Sequence, residues 1–466
     1  MNLKFFGGVN TIGGNKILLE DSDTKLFLDF GMNFSENALY FEEYMKPRVG
    51  NGLGDWAELG LIPHPKKLKG FYRNDLLKMG DYLIEKQALF DGVLLSHCHF
   101  DHAAHLCFMD ERIPIYSSEI TNAMIKAIQE IGTGTIDTEI CSYKPRPAER
   151  GAELIERQFN PVESEKTFKV GNLEIKPFAV DHSVPGAMSY LIYTSEGTVF
   201  YSGDLRMHGT YGSLTEMMLE EVQKEKIDLM LCEGTRIMDT EKQSEKLVKE
   251  DSHNLISKAE NLAIADYAFK DLTRFKTFYE IAKENNRKLV VQMKDAYLVR
   301  ELGHLVELPK INDENILIYL GKRGTGTYSE KDFPRKWMKE MYGLSNTITA
   351  EGVCQSQKDY LVRLGFYDFN NLVDLKPKKN SVYIHSMCEA FNEEMAISHD
   401  RQKNWLEKFG LEYNYAHCSG HAGREELKEI INTIRPKTLI PIHTEHANQF
   451  RKIAEKKIRI RKAKAE

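Results

Sequence analysis

The chain has 466 residues, 63 Lys and Arg against 69 Asp and Glu, a formal net charge of −6 at pH 7, and 42% hydrophobic residues. These values exclude a disordered, collagenous or small disulfide-stapled chain and predict about three domain-sized units. No window approaches the roughly 20 apolar residues of a membrane span, and seven cysteines without a Cys-x-x-Cys pair point to reduced thiols in the cytosol.

The first segment, Phe5-Phe6-Gly7-Gly8-Val9-Asn10-Thr11-Ile12-Gly13-Gly14-Asn15, is glycine-rich and lacks a signal-peptide pattern. A hairpin-like pair follows, Lys16 to Glu20 and Lys25 to Asp29, around Asp21-Ser22-Asp23. Arg48 to Arg73, with Trp56 and Pro63-His64-Pro65, reads as an insertion that loops over one edge of the site formed next. Phe90-Asp91-Gly92-Val93-Leu94-Leu95 reads as a buried strand ending at Ser96. The stretch His97-Cys98-His99-Phe100-Asp101-His102 then packs four metal-competent side chains into six residues. His97 and His99 share a face if strand geometry continues. Asp101 and His102 point apart, which suits a second metal beside the first. Cys98 reads as a small buried residue pointing away from its neighbours. A chance run of surface histidines is the plain alternative, and the density of the spacing argues against it.

Three later segments repeat the pattern of an apolar strand followed by a ligand. Leu173 to Val180 leads into Asp181-His182, Thr198 to Tyr201 into Ser202-Gly203-Asp204, and Thr438 to Ile442 into His443. One such strand end is more often a satisfied polar residue; four in one chain point to a metal centre. Between these motifs, Thr240 to Lys258 reads as a charged linker and helix. Phe275, Phe278, Tyr279 and Ala282 follow helical spacing. Lys288 to Val291, Ile316 to Leu320 and Ser381 to His385 read as strands, giving an α/β segment with a parallel sheet. Leu427, Ile430, Ile431 and Ile434 form a further helical stripe that packs on a sheet.

His97-x-His99-x-Asp101-His102, then His182, then Asp204 after Ser-Gly, with the glycine-rich opening, resembles the metallo-β-lactamase superfamily. His417-Cys418-Ser419-Gly420-His421-Ala422 and Pro441-Ile442-His443-Thr444-Glu445, set far beyond Arg236, resemble the β-CASP nucleases and ribonuclease J in particular. The resemblance implies an α/β fold, a metallo-β-lactamase αββα sandwich with an inserted α/β β-CASP domain. Its parts are 1–236, an insert over 237–416, and a return segment over 417–466 with a basic tail. It implies two divalent metal ions, zinc first, with manganese or iron as alternatives. One ion takes His97, His99 and His182, the second takes Asp101, His102 and His443, and Asp204 bridges them. Glu233 matches the first extra motif of the group, His421 the second and His443 the third, histidine there being the RNA-processing form.

Catalytic roles fall to Asp101, His421 and Glu233. His421 donates to a phosphate oxygen or to the leaving oxygen, and Glu233 orients a histidine. Small residues around Gly420 and His421 expose backbone N–H groups before a helix starting near Arg424, which favours phosphate, and the resemblance to ribonuclease J implies that His417 and Ser419 also bind substrate phosphate. Asp181 and His105 are read as neighbours that orient ligands, and His446 as surface or support.

The activity implied is hydrolysis of single-stranded RNA phosphodiesters, as a 5′-to-3′ exonuclease, an endonuclease or both, by a two-metal-activated hydroxide. Expected surroundings are the cytoplasm, with RNA as partner and no membrane. Ribonuclease J carries a further C-terminal domain and this chain has only a short segment after His443, so a homo-oligomer is left open. A DNA nuclease is the nearest rival, and His443 weighs against it. The long insert weighs against a small-molecule metallo-hydrolase, and the full ligand set against a non-catalytic RNA-processing scaffold. The net charge of −6 does not favour nucleic acid, but phosphate contacts need only a local basic groove. The run Lys456 to Lys464 reads either as a tail on the RNA backbone or as a solvated helix end.

Overall fold

Two faces of each central strand are apolar, and this dictates a layered structure. In the first half Ile17 and Leu19 point one way and Leu18 the other; Leu26 and Leu28 alternate with Phe27, and all are buried. Period-two alternation with both faces apolar requires cover on both sides of the sheet. The computed structural model describes residues 1–42, 44–78, 88–147, 151–388 and 393–466, with side chains from 395 in the last segment. The chain divides into two units. One comprises Met1–Met207, Tyr211–Lys242 and Gly420–Glu466, and the other His208–Thr210 and Gln243–Ser419. An insert was expected over 237–416; the second unit's main segment runs over 243–419, so His417 and Ser419 belong to it.

The first unit holds two principal sheets among the described residues. A six-stranded sheet has the order Asn2–Gly7, Lys16–Asp21, Thr24–Phe30, Gly92–Leu94, Ile115–Ser117, Phe159–Pro161. A seven-stranded sheet has the order Arg459–Ile460, Thr438–Ile442, Leu229–Glu233, Gly197–Tyr201, Met188–Thr194, Leu173–Ala179, Phe168–Val170. One core joins the inner faces, with Ile17, Leu26 and Leu94 against Tyr190, Ile192, Tyr201 and Leu231. The outer face of the second sheet, through Leu191, Phe200 and Met230, packs on the helices Gly212–Val222 and Arg424–Ile434. Leu427, Ile430, Ile431 and Ile434 are the buried stripe of the latter helix, as their spacing predicts. This is the expected αββα sandwich.

Strand direction positions the site. Gly197–Tyr201, Leu229–Glu233 and Thr438–Ile442 are mutually parallel. Leu173–Ala179 is antiparallel to Met188–Thr194, which is antiparallel to Gly197–Tyr201. All four therefore end at the same edge, where His182, Asp204, Glu233 and His443 lie.

Arg48 to Arg73 is a packed run of turns around the short helix Gly54–Glu58: Leu53, Trp56, Leu61, Ile62, Leu68 and Phe71 are buried, and Trp56 sits 4.9 Å from Phe108, centroid to centroid. Apolar side chains at this density pull the segment into the aromatic layer under the first sheet. The basic run is not a helix end. Arg459–Ile460 forms an edge strand parallel to Thr438–Ile442, because Ile458 and Ile460 supply an apolar face that the sheet buries.

The second unit carries a seven-stranded sheet in the order Thr347–Thr349, Ile316–Leu320, Lys288–Gln292, Tyr360–Arg363, Ala263–Asp266, Val382–His385, Tyr413–Tyr415. Every pairing in it is parallel. Leu272–Glu284 is the helix expected around Phe275.

Candidate metal centre

The strand Gly92–Leu94 delivers the first ligands. Beyond it the chain turns into a short helix, Phe100–Ala103, with His99 as its N-cap residue. This turn, not continued strand, is what makes Asp101 and His102 converge: Asp101 Oδ2 lies 3.7 Å from His102 Nε2. Backbone bonds fix the loop, from Asn15 N to Asp101 O at 3.0 Å and from Met32 N to Phe100 O at 3.0 Å. Gly31 permits that closeness, since a Cβ there would stand 1.8 Å from Asp101 O.

The expected ligands form two groups of donor atoms, and His421 joins two further overlapping clusters, one with His182 and Asp204 and one with Glu233 and His443. His99 Nδ1 is 3.1 Å from His97 Nε2 and 3.1 Å from His182 Nε2. Tetrahedral zinc with bonds of about 2.0–2.1 Å to nitrogen needs a nitrogen–nitrogen separation of about 3.3 Å. The second group is Asp101, His102, Asp204 and His443. Asp204 Oδ2 is 3.0 Å from His102 Nε2 and 3.8 Å from His443 Nε2, and His443 Nε2 is 3.0 Å from Asp101 Oδ2. Asp204 Oδ2 is also 3.7 Å from His97 Nε2 and 4.0 Å from His182 Nε2. Asp204 thus faces both groups.

The donor set fits divalent cations on structural grounds. His102 Nε2 and both Asp204 oxygens are buried, yet form no aligned hydrogen bond among the described residues. Buried polar atoms in this condition cost roughly 1–3 kcal/mol each unless something satisfies them. Burial, then neighbouring histidines, hold His97 and His182 well below the usual histidine range, so both are neutral and ready to ligate. Burial would also lower His102, but Asp204, Asp101 and Asp29 outweigh it and raise the ring well above its usual value. His102 therefore carries a proton that a cation must displace.

A second layer of contacts selects which nitrogen points inward. The Asp29 carboxylate meets His102 Nδ1 at 2.6 Å and accepts from Ser96 N, Ser96 Oγ and Tyr201 OH. The Gly420 carbonyl holds His182 Nδ1 at 2.5 Å. Thr235 Oγ1 lies 2.7 Å from His443 Nδ1, and His443 N donates to Gly8 O at 2.7 Å. His443 has φ +51, a strained conformation kept by these contacts. Asp181 was expected to orient a neighbouring ligand. It pairs with Arg206 at 3.1 Å, both fully buried, and so ties the His182 loop to the Asp204 loop. Asp29 and Thr235 were not foreseen from sequence.

His421 stands beside the ligands. Its Nδ1 is 3.2 Å from Glu233 Oε1 and 3.8 Å from Asp204 Oδ2. Burial lowers its pKa, but Glu233 and Asp204 prevail and raise it to about 9. Bound cations would oppose Asp204 and bring that value down. Glu233 is fully buried, and it also accepts from Thr235 N at 2.9 Å.

Comparison with known proteins follows the same residues. The Beta-lactamase superfamily domain matches residues 80–268, and the Zn-dependent metallo-hydrolase RNA specificity domain matches 412–462. Ribonuclease J 2 of Streptococcus pyogenes serotype M3 is 23% identical over 450 residues, covering 94% of this chain and 69% of that protein. Ribonuclease J of Mycoplasma pneumoniae is 24% identical over 461 residues, covering 95% of this chain and 67% of that protein. The chain belongs to the metallo-β-lactamase superfamily, in its β-CASP group. The fold is shared with a crystal structure of a protein of unknown function from Enterococcus faecalis V583, at TM-score 0.73 and 23% identity, covering 100% of this chain and 97% of that one.

The remaining expected residues of this β-CASP chain divide between its units. Gly420 and His421 lie in the first and His417 and Ser419 in the second. Several backbone amides of this stretch have partners within the chain. Ser419 N donates to Gln243 Oε1, Ala422 N to Leu205 O, Gly423 N to Glu426 Oε2 and Arg424 N to Asp239 O. His417 is held by Arg274, whose Nη1 is 3.4 Å from its Nδ1; burial, then this cation, lower His417 to about 3. His105 sits in the aromatic layer, 5.1 Å from Phe108 by ring centroids, and His446 is exposed. Cys98 is buried and belongs to none of the donor groups.

Proposed function

We propose that this chain is a metal-dependent ribonuclease that hydrolyses phosphodiester bonds of single-stranded RNA, by exonuclease action, endonuclease action or both. The observation that carries the reading is the convergence of His97, His99, Asp101, His102, His182 and His443 around the Asp204 carboxylate. The match of 412–462 to an RNA specificity domain, which spans His421 and His443, favours RNA over DNA. Two divalent ions are the cofactor, with zinc first. Free cysteines throughout the described residues agree with a reducing, cytoplasmic setting. No helix among the described residues is long and apolar enough to cross a membrane.

Bound divalent ions supply Lewis acidity at a phosphoryl oxygen and acidify water there. The chain's own groups do the rest. Asp29, the Gly420 carbonyl and Thr235 fix the tautomers of His102, His182 and His443, so each presents one lone pair inward. Glu233 accepts a hydrogen bond from Nδ1–H of His421, which leaves Nε2–H to donate to the leaving oxygen or a phosphate oxygen. His417, Ser419 and Gly420 are the remaining candidates for phosphate contact, through side chains and through amides not already paired.

The test uses matched single-stranded RNA and DNA, labelled at the 3′ end, with 5′-monophosphate and 5′-hydroxyl forms. RNA cleavage with added zinc or manganese, abolished in Asp101→Ala, is the expected result. Cleavage of DNA alone, or of neither strand by metal-loaded protein, overturns the reading.

A further inference from the structure

The segment Lys456–Lys464 carries Lys456, Lys457, Arg459, Arg461, Lys462 and Lys464, in a chain whose net charge is −6. The structure fixes this run to the sheet edge at several points. Arg459 N donates to Lys437 O at 3.1 Å and Arg461 N to Leu439 O at 2.9 Å. Farther along, Ala465 bridges Phe5, and Glu466 N donates to Phe5 O at 2.8 Å. Ile458 and Ala463 are buried, and Ile460 packs on the core. Strand alternation then turns Arg459 and Arg461 outward together, and both are exposed, as are Lys456, Lys462, Lys464 and the neighbouring Lys437.

Lys457 is engaged by Glu455 at 2.9 Å. Among the described residues the other five cations of the segment have no carboxylate partner within ion-pair distance. An ordered backbone that holds unpaired cations outward has already lost the entropy a loose tail would lose on binding. On an otherwise acidic chain it is also where a polyanion is attracted.

Direction matters as well. The segment runs parallel to Thr438–Ile442, whose next residue is the ligand His443. Ala465 stands beside Phe5, and the Gly8 carbonyl that holds His443 N lies three residues further along the same stretch, about 10 Å at a strand's rise. The cations thus lead from the far end of the sheet toward the metal centre.

We propose that Lys456, Arg459, Arg461, Lys462 and Lys464 form a docking strip for the phosphate backbone of single-stranded RNA outside the metal centre. The proposal rests on the ribonuclease reading above. The strip recognises charge and not bases, since the run Lys456 to Lys464 contains no aromatic side chain to stack on a base.

The experiment measures affinity of the metal-loaded full chain for a nuclease-resistant phosphorothioate RNA strand across a salt series. It compares the natural chain, a variant with all five residues changed to Gln, the pair Arg461→Gln/Lys464→Gln, and a control that exchanges Lys and Arg at the five positions. Each phosphate neutralised on a single strand contributes about 0.7 to the slope of log affinity against log salt. With one phosphate per cation, the five-fold variant is therefore expected to lose about 3.5 in slope and the pair about 1.4, while the Lys–Arg control keeps the slope and all variants keep their metal content. Unchanged slopes in a chain that binds RNA overturn the strip and leave the ribonuclease reading standing. Basic edge strands also block edge-to-edge pairing, so self-association of the variants with unchanged RNA slopes would assign the charges to that role instead. No binding of RNA by the natural chain overturns both.

Discussion

The Asp29 carboxylate lies 2.6 Å from His102 Nδ1, and this contact sets which nitrogen of that ring faces Asp204. Asp29 is fully buried and has φ +55, a conformation that Asp and Asn accept more readily than other side chains. Asp29→Asn therefore keeps the backbone but removes the charge and one acceptor. Metal affinity or ribonuclease turnover should fall about 10–100-fold in a folded protein. Metal analysis after dialysis, with turnover measured alongside, checks this; full metal content and unchanged turnover would refute the role.

His421 is a separate matter: it lies outside the two groups expected to hold the ions, although it also clusters with His182 and Asp204 and with Glu233 and His443. His421→Ala should keep its metal and lose about 100- to 10,000-fold in turnover, the range for a positioned proton donor. Glu233→Gln should fall in the same direction by less, since the ring stays in place with a weaker partner. Loss of metal in His421→Ala would instead make the residue a ligand.

Gly420 touches the first donor group through both its carbonyl and its missing side chain. A Cβ at this position would stand 2.6 Å from Ser183 Oγ and 3.0 Å from His182 Cε1. Gly420→Ala should shift the His182 ring and weaken one metal site about 10-fold or more while leaving the other. Two-step metal titration by calorimetry separates the sites, and a titration indistinguishable from the natural chain would contradict the assignment.

Much of this centre is legible in sequence because each ligand directly follows an apolar strand. The pattern fails where a role depends on strand register. Asp29 looks like an ordinary polar residue at a strand end; only the pairing of Leu28 with Leu94 brings it beside Ser96 and His102. Thr235 gains its role from the parallel pairing of Glu233 with Ile442, which sets it against His443. Near Ser419 small residues suggest open amide donors, and Gln243, far away in sequence, occupies one of them. Arg48 to Arg73 read as a loop because its prolines and glycines hid the burial of Trp56 and Phe71.

His417 gives a pH signature in the second unit. Burial and Arg274 depress its pKa from the usual 6.5 to about 3. Within that window the unfolded chain binds a proton that the folded ring refuses, so stability falls as pH drops below 6.5 and this contribution vanishes above it. His417→Gln removes that slope. Thermal midpoints recorded from about pH 7 to about pH 4 should show the variant gaining on the natural chain as acid is added. Parallel curves would mean that the ring titrates normally.

The most direct test is a titration of metal-stripped chain with zinc, and separately with manganese, while cleavage of single-stranded RNA is followed. The account predicts no cleavage without metal, and a rise that levels off at two ions per chain and is absent in Asp204→Asn. RNA cleavage by the metal-free chain, or full activity with one ion per chain, would contradict a centre in which Asp204 serves two ions.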